Sequence, residues 1–124
     1  MIALSLTAAG GLMLSAGSAA VAQPAAAGRD LYLHACAECH QANGAGSPGD
    51  IPALVHDPVV NGAPTLGARV VLEGAGPMPN FDQQFSDAQI AAVLTYVRSS
   101  FGNSAPAVST ATVAGVRKAL ATGR

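Results

Sequence analysis

The chain is short of charge, of aromatic rings and of cysteine. Six basic and seven acidic side chains leave its 124 residues with a net charge of −1, and Lys118 is the only lysine. So balanced a chain offers nothing that points to nucleic acid or to a strongly charged membrane surface. Aromatic residues make up 4% and tryptophan is absent, so the chain's own rings cannot dominate a core. With two cysteines there is no third for a cysteine-rich zinc site. There are no internal repeats. Alanine, glycine and aliphatic residues fill the gap, and the length allows one small domain plus a leader. A domain of this size has difficulty stabilising itself by its own apolar burial.

Both cysteines fall in one motif, Cys36-Ala37-Glu38-Cys39-His40. Two thiols at this spacing with a histidine directly after them form the haem c attachment signature. The thiols can form thioethers to the two vinyl groups of one haem, and the adjacent imidazole can bind its iron axially. Two other readings compete. A redox dithiol needs a thioredoxin-like strand before the motif, whereas Gly28 to Ala35 carries a helical pattern. A zinc site would have to recruit His34 and His56, whose spacing is poor for it. A covalently held haem would also supply the large apolar core element that the composition lacks.

The first 28 residues contain no charged side chain. Ile2 to Leu14 is mostly apolar, and Ala20-Val21-Ala22 reads as a small-x-small cleavage site, although no basic segment precedes it. The expected organisation is a signal peptide over 1–22, a haem domain over 23–104 and a C-terminal extension over 105–124. The alternative for the leader is an uncleaved membrane anchor, for which the apolar run is short and rich in glycine. Export agrees with the motif, and a periplasmic location follows.

Beyond the leader, Pro24 to Ala27 reads as a loose entry and Gly28 to Ala37 as a helix, with Leu31, Tyr32 and Ala35 near helical spacing. A turn-rich loop over 41–49 follows the motif. Pro52 is a source for the carbonyl to which an axial histidine donates its second ring N–H. Val55 to Gly62 reads as loop, with a turn at Asp57-Pro58 and His56 on the surface. Pro64 to Glu73 reads as a helix opened by proline, with Leu66, Val70 and Val71 toward a haem or core. In Pro77-Met78-Pro79 two prolines restrict the backbone around the only methionine left after leader removal. Its thioether is a soft iron donor that raises the reduction potential relative to a second nitrogen ligand. Ser86-Asp87-Ala88-Gln89 is a capping box. Ile90, Val93, Leu94, Val97 and Phe101 continue it as one apolar stripe, with Gly102 as the stop. In the last stretch Val113, Val116 and Leu120 could line one face of a short helix, either packed or frayed.

Over about 26–102 the chain resembles the class I c-type cytochromes, single-haem proteins of all-α fold. The resemblance implies that Cys36 and Cys39 are the thioether cysteines, His40 the proximal iron ligand, Pro52 the residue that orients it, and Met78 the distal ligand. It also implies that Gly28 and Tyr96 lie where the first and last helices of the family cross. Leu94 to Asn103 and the basic tail after it are similar to small cytochrome subunits that accompany bacterial periplasmic dehydrogenases. Unlike their multihaem members, this chain has one such motif, and it has no catalytic domain.

The expected function is therefore electron transfer rather than catalysis, through one covalent haem with both axial positions filled. The partners implied are a quinone-, flavin- or molybdenum-dependent dehydrogenase and a terminal oxidase or another cytochrome. With a single lysine, no lysine-ringed docking face can be built, and an apolar Ala/Gly-rich face is expected around the haem edge. The competing function is a haem enzyme or gas sensor with an open or labile sixth iron position.

Overall fold

The computed structural model of the chain describes residues 10–13 and 19–123; the expected leader over 1–9 and 14–18 lies outside the described residues. Every regular element described is a helix: α1 (Ala19–Ala35), α2 (Ala37–His40), α3 (Pro58–Asn61), α4 (Pro64–Glu73), α5 (Asp87–Arg98) and α6 (Thr110–Thr122). Extended pairing among the described residues is limited to two isolated bridges, Ser47 with Ile51 and Ala75 with Met78. The all-α expectation holds.

Helix α1 starts earlier than its pattern predicts. The segment read as a loose entry belongs to it, because Ala25, Ala26 and Ala27 continue an alanine-rich run, and alanine is the best helix former. Asp57 turns the expected loop after His56 into α3, its carboxylate accepting from the amides of Val59 at 2.8 Å and Val60 at 2.9 Å. Helix α4 has the predicted bounds. The capping box of α5 is present, with the Gln89 amide donating to Ser86 Oγ at 3.1 Å and the Ser86 amide to Gln89 Oε1 at 2.9 Å.

Helix α5 ends at Arg98, short of Gly102. The Ser99 hydroxyl donates to the Thr95 carbonyl at 2.9 Å, and Phe101 and Gly102 adopt φ of 60° and 87°. This left-handed pair turns the chain back. The Phe101 ring then lies 5.3 Å from that of Tyr32 and 5.9 Å from that of Tyr96, centroid to centroid.

The helices pack around α5. On one side α4 and α6 enclose Ala68, Leu72, Ile90, Ala91, Leu94, Val108 and Val113. The tail is thus packed, with Val113 fully buried and Val116 and Leu120 against the same cluster. On the other side α1 crosses α5, and Tyr32, Val93 and Val97 form a second core with Leu54, Tyr96 and Phe101. The face of α4 that enters the first core is Ala68 and Leu72. Leu66 is 44% exposed and Val70 half-buried, so of the three expected positions only Val71 reaches the cluster.

The α1–α5 crossing depends on Gly28. A Cβ there would run into the Ala92 carbonyl oxygen and stand 3.1 Å from Tyr96 Cβ. Gly28 and Tyr96 therefore meet at the crossing, as expected. Because the obstacle is backbone, it cannot move aside as a side chain tip would. Gly28→Ala should lower stability by about 1–3 kcal/mol, seen as a lower denaturant midpoint with an unchanged slope; an unchanged midpoint would show that the helices can separate without cost.

Candidate haem site

The motif sits where α1 breaks into α2. The Cys36 amide still bonds to the Tyr32 carbonyl at 2.9 Å, and the Cys36 carbonyl accepts from the amides of Cys39 at 3.2 Å and His40 at 2.9 Å. Residues 36, 39 and 40 therefore stand at i, i+3 and i+4 of one helical turn, the spacing that shares a face. Cys39 is exposed and Cys36 half-buried. Burial pushes the Cys36 thiol up to about 11, which keeps it neutral at physiological pH. A redox dithiol requires the opposite, a stabilised thiolate. The zinc reading fares no better: among the described residues no group of three His, Cys, Asp or Glu side chains could hold a metal.

His40 is only 9% exposed. Its Nδ1 lies 3.1 Å from the Pro52 carbonyl oxygen, the contact expected of an oriented axial imidazole, which donates the Nδ1 proton and leaves Nε2 as the free basic nitrogen. Nε2 has no protein partner among the described residues, and it is not among their sealed polar atoms. The ring's small remaining exposure therefore includes it.

The loop that delivers Pro52 folds tightly. The Ser47 and Ile51 amides donate to each other's carbonyls at 2.9 Å, and the Gly46 amide donates to the His40 carbonyl at 2.9 Å. Gly46 has φ +65°, and a Cβ there would strike the Ile51 carbonyl oxygen and stand 2.7 Å from that of Pro52. A side chain at 46 would thus displace the carbonyl that fixes His40.

Directly after His40 the backbone is strained. Gln41 has φ 67° and ψ 157°, a region open in practice to glycine alone and costing other residues about 1–3 kcal/mol. Two donors meet its carbonyl, the Tyr32 hydroxyl at 2.6 Å and the Gly44 amide at 3.1 Å. Tyr32, with no exposed surface, thus links the α1–α5 crossing to the turn that leaves the motif.

Met78 is half-buried in a closed loop. Its amide donates to the Ala75 carbonyl at 2.9 Å and its carbonyl accepts from the Ala75 amide at 3.1 Å, while the Phe81 amide donates to Val71 of α4 at 2.9 Å. The stiffness expected from the flanking prolines is reinforced by backbone bonds. The other histidines stand apart. His34 Nδ1 bonds to the Asp30 carbonyl at 2.8 Å on the α1 surface. Exposed His56 edges an open depression shared with Asn61, Asn103 and Pro106.

Two polar residues near this framework carried no motif. Arg98 is 3% exposed and donates to the carbonyls of Pro106 at 2.7 Å, Val60 at 2.6 Å and Gly62 at 2.9 Å. Asn103, 7% exposed, bonds the Leu54 and Val97 carbonyls through Nδ2 and accepts from the His56 amide and Asn61 Nδ2. Together they tie the Pro52 loop and α3 to α5. A buried Arg or Asn is uncommon, and no sequence signal separates these two from surface residues.

Residues 23–97 match the family model described as cytochrome c oxidase, cbb3-type, subunit III. The chain is a c-type cytochrome. It is similar to the cytochrome c subunit of the quinone alcohol dehydrogenase of Gluconobacter oxydans, 36% identical over an alignment of 109 positions that covers 78% of this chain and 22% of that one. The corresponding subunit of Komagataeibacter europaeus is 36% identical over 108 aligned positions, covering 77% of this chain and 23% of that one. The gluconate 2-dehydrogenase cytochrome c subunit of Pantoea cypripedii is 33% identical over 105 aligned positions, covering 73% and 24%. The cytochrome spans about a quarter or less of the length of these relatives. It has the all-α fold of its family.

Burial raises the Tyr32 hydroxyl from its ordinary 10.0 to about 12, with smaller contributions from Cys36 and Tyr96. Folding therefore favours its protonated form, and that stabilisation is complete below pH 10 and lost as pH rises through 12. At neutral pH Tyr32→Phe should cost about 0.5–1.5 kcal/mol through the lost bond to Gln41. The gap between variant and wild type should close between pH 10 and 12. Denaturant titrations across that range check this; a gap independent of pH would show that the hydroxyl is not buried.

Proposed function

We propose that the cytochrome carries a single covalent haem c, attached through Cys36 and Cys39, with His40 as proximal and Met78 as distal iron ligand. The observation that carries this reading is the His40–Pro52 contact. It fixes the tautomer, leaves Nε2 as the donor, and does so on the helical turn that bears both thiols. The residue set is the one a low-spin haem c needs: an imidazole and a thioether for the iron, and two unpaired thiols for the vinyl groups. The bound haem would supply an iron that alternates between ferrous and ferric states. The protein's part is to hold both axial donors in place, so that little rearranges on electron transfer. The half-exposed Leu66 and half-buried Val70 on α4 supply apolar surface that the chain itself leaves uncovered, which suits a porphyrin face.

The relatives support a direction of electron flow. Two are named as cytochrome c subunits of a quinone alcohol dehydrogenase and one of a gluconate 2-dehydrogenase. We infer that this cytochrome accepts electrons from a periplasmic dehydrogenase, quinone-dependent or otherwise flavin- or molybdenum-dependent, and passes them to a terminal oxidase or another cytochrome. Export by the 1–22 leader, with the haem domain over 23–104 and the extension over 105–124, belongs to this reading. No described helix is long and apolar enough to cross a membrane. Lys118, on α6, is exposed and is the chain's only lysine, so contact with the partner would rest on apolar surface, as in small transient redox encounters.

Met78→Ala should keep covalent haem on a denaturing gel, lower the reduction potential and open the iron to added ligands, whereas His40→Ala should prevent stable holoprotein. An unchanged potential in the first variant would refute the distal assignment and favour a haem enzyme or sensor. Fractionation of native periplasmic extract by size, followed by haem absorbance, tests the partner. Co-elution with a large dehydrogenase is expected for a fixed subunit; elution as a small monomer, with no electron uptake from such an enzyme, would sink the dehydrogenase reading.

A further inference from the structure

Arg117 of α6 makes the most heavily bonded contact between the C-terminal extension and the rest of the chain. Its Nε donates to Asp87 Oδ1 at 2.7 Å, its Nη1 to the Asp82 carbonyl at 2.5 Å and its Nη2 to the Phe85 carbonyl at 2.8 Å. The ion pair is half-buried, with 31% of the Arg117 and 29% of the Asp87 side chain exposed. A guanidinium presents its donors in a rigid plane and can span two carbonyls and a carboxylate at once, which an ammonium cannot. Its targets are consecutive parts of one structure, the turn over 82–85 and the first residue of α5.

That turn directly follows the Met78 loop. Phe81 anchors its start, 8% exposed, with its amide on Val71 of α4 and its carbonyl accepting from the amides of Gln84 at 3.2 Å and Phe85 at 3.1 Å. The rings of Phe81 and Phe85 stack with centroids 5.4 Å apart. Helix α6 cannot shift freely beneath it, since Val113 is fully buried and Val116 and Leu120 pack against the α4–α5 core. The segment after Met78 is therefore tied to α4 at one end and to α6 at the other. Without Arg117 the second tie is lost, and local opening of the loop needs less free energy.

We infer that Arg117 is a positioning residue for the distal iron ligand: the C-terminal helix, through this one side chain, holds the Met78 loop closed. The inference rests on the reading of Met78 as that ligand. It gives the extension a part in electron transfer, because a loop that opens exposes the iron to competing ligands and removes the thioether that keeps the potential high.

The test uses ferric holoprotein of the full chain, with imidazole as competing ligand and the red charge-transfer band of the methionine–iron bond as the signature. Arg117→Ala should bind imidazole about tenfold more tightly than wild type, the loss of charged hydrogen bonds being sufficient for that factor. Arg117→Lys should fall between the two, since an ammonium keeps the Asp87 pair without spanning both carbonyls; it also carries the test if the alanine variant yields no holoprotein. Leu120→Ala, which loosens α6 packing without touching the clamp, should lower the thermal midpoint and leave imidazole affinity within about twofold of wild type. Unchanged imidazole affinity in both Arg117 variants, beside a wild-type band, would overturn the inference and spare the Met78 assignment. Equal tightening in Leu120→Ala would overturn it as well, by showing global loosening. A wild type without the band would overturn the Met78 assignment and this inference together.

Discussion

Two helices reach backbone contact only where a side chain is missing, and here that place is Gly28. The Ala92 carbonyl occupies the space a Cβ would fill. This contact sets the distance between α1 and α5, and the remaining architecture follows. It places Tyr32 against Tyr96, with ring centroids 5.5 Å apart, and it aims the end of α1 so that Cys36 to His40 continues as a further turn. The opposite side of α5 is left to α4 and α6, which close the other core.

From that crossing the candidate haem site is built by a short series of hydrogen bonds. The Tyr32 hydroxyl holds the Gln41 carbonyl, Gln41 takes up a backbone conformation suited to glycine, and the chain leaves the motif sharply enough for Pro52 to return over His40. The strain at Gln41 and the bond at His40 belong together, since the first makes room for the loop that supplies the second. Such outliers persist where the surroundings over-determine them, and here they stand directly beside the candidate iron ligand.

The arginines show a different economy. Arg98 and Arg117 each spread their donors over loop carbonyls, Arg98 around α3 and Pro106, Arg117 around the turn after Met78. In a small domain with few aromatic rings, carbonyl-bonded guanidinium groups do what a larger core would otherwise do for loops. The C-terminal helix is thereby bonded and packed into the same helical scaffold as α4 and α5.

Short-range chemistry could be read from residues alone. The spacing of Cys36, Cys39 and His40 pointed to haem, because two thiols and an imidazole fall within one turn. The proline at Pro64, the Ser86–Gln89 box and the Val113, Val116 and Leu120 face announced three helices, because caps and periodicity act over a few residues. The start of α1 and the short helix after Asp57 rest on a local alanine run and a local cap that compete with loop-like neighbours. The premature end of α5 and the inward face of α4 were not legible, because they depend on partners distant in sequence, as when Phe101 folds back on Tyr32. Least visible were Arg98, Asn103 and Arg117, whose meaning lies in carbonyls up to 49 positions away. The amino-acid sequence by itself determined which kind of cofactor this chain points to; only the tertiary structure decided which of its polar residues tie its loops together, because a carbonyl has no identity until the fold brings a donor to it.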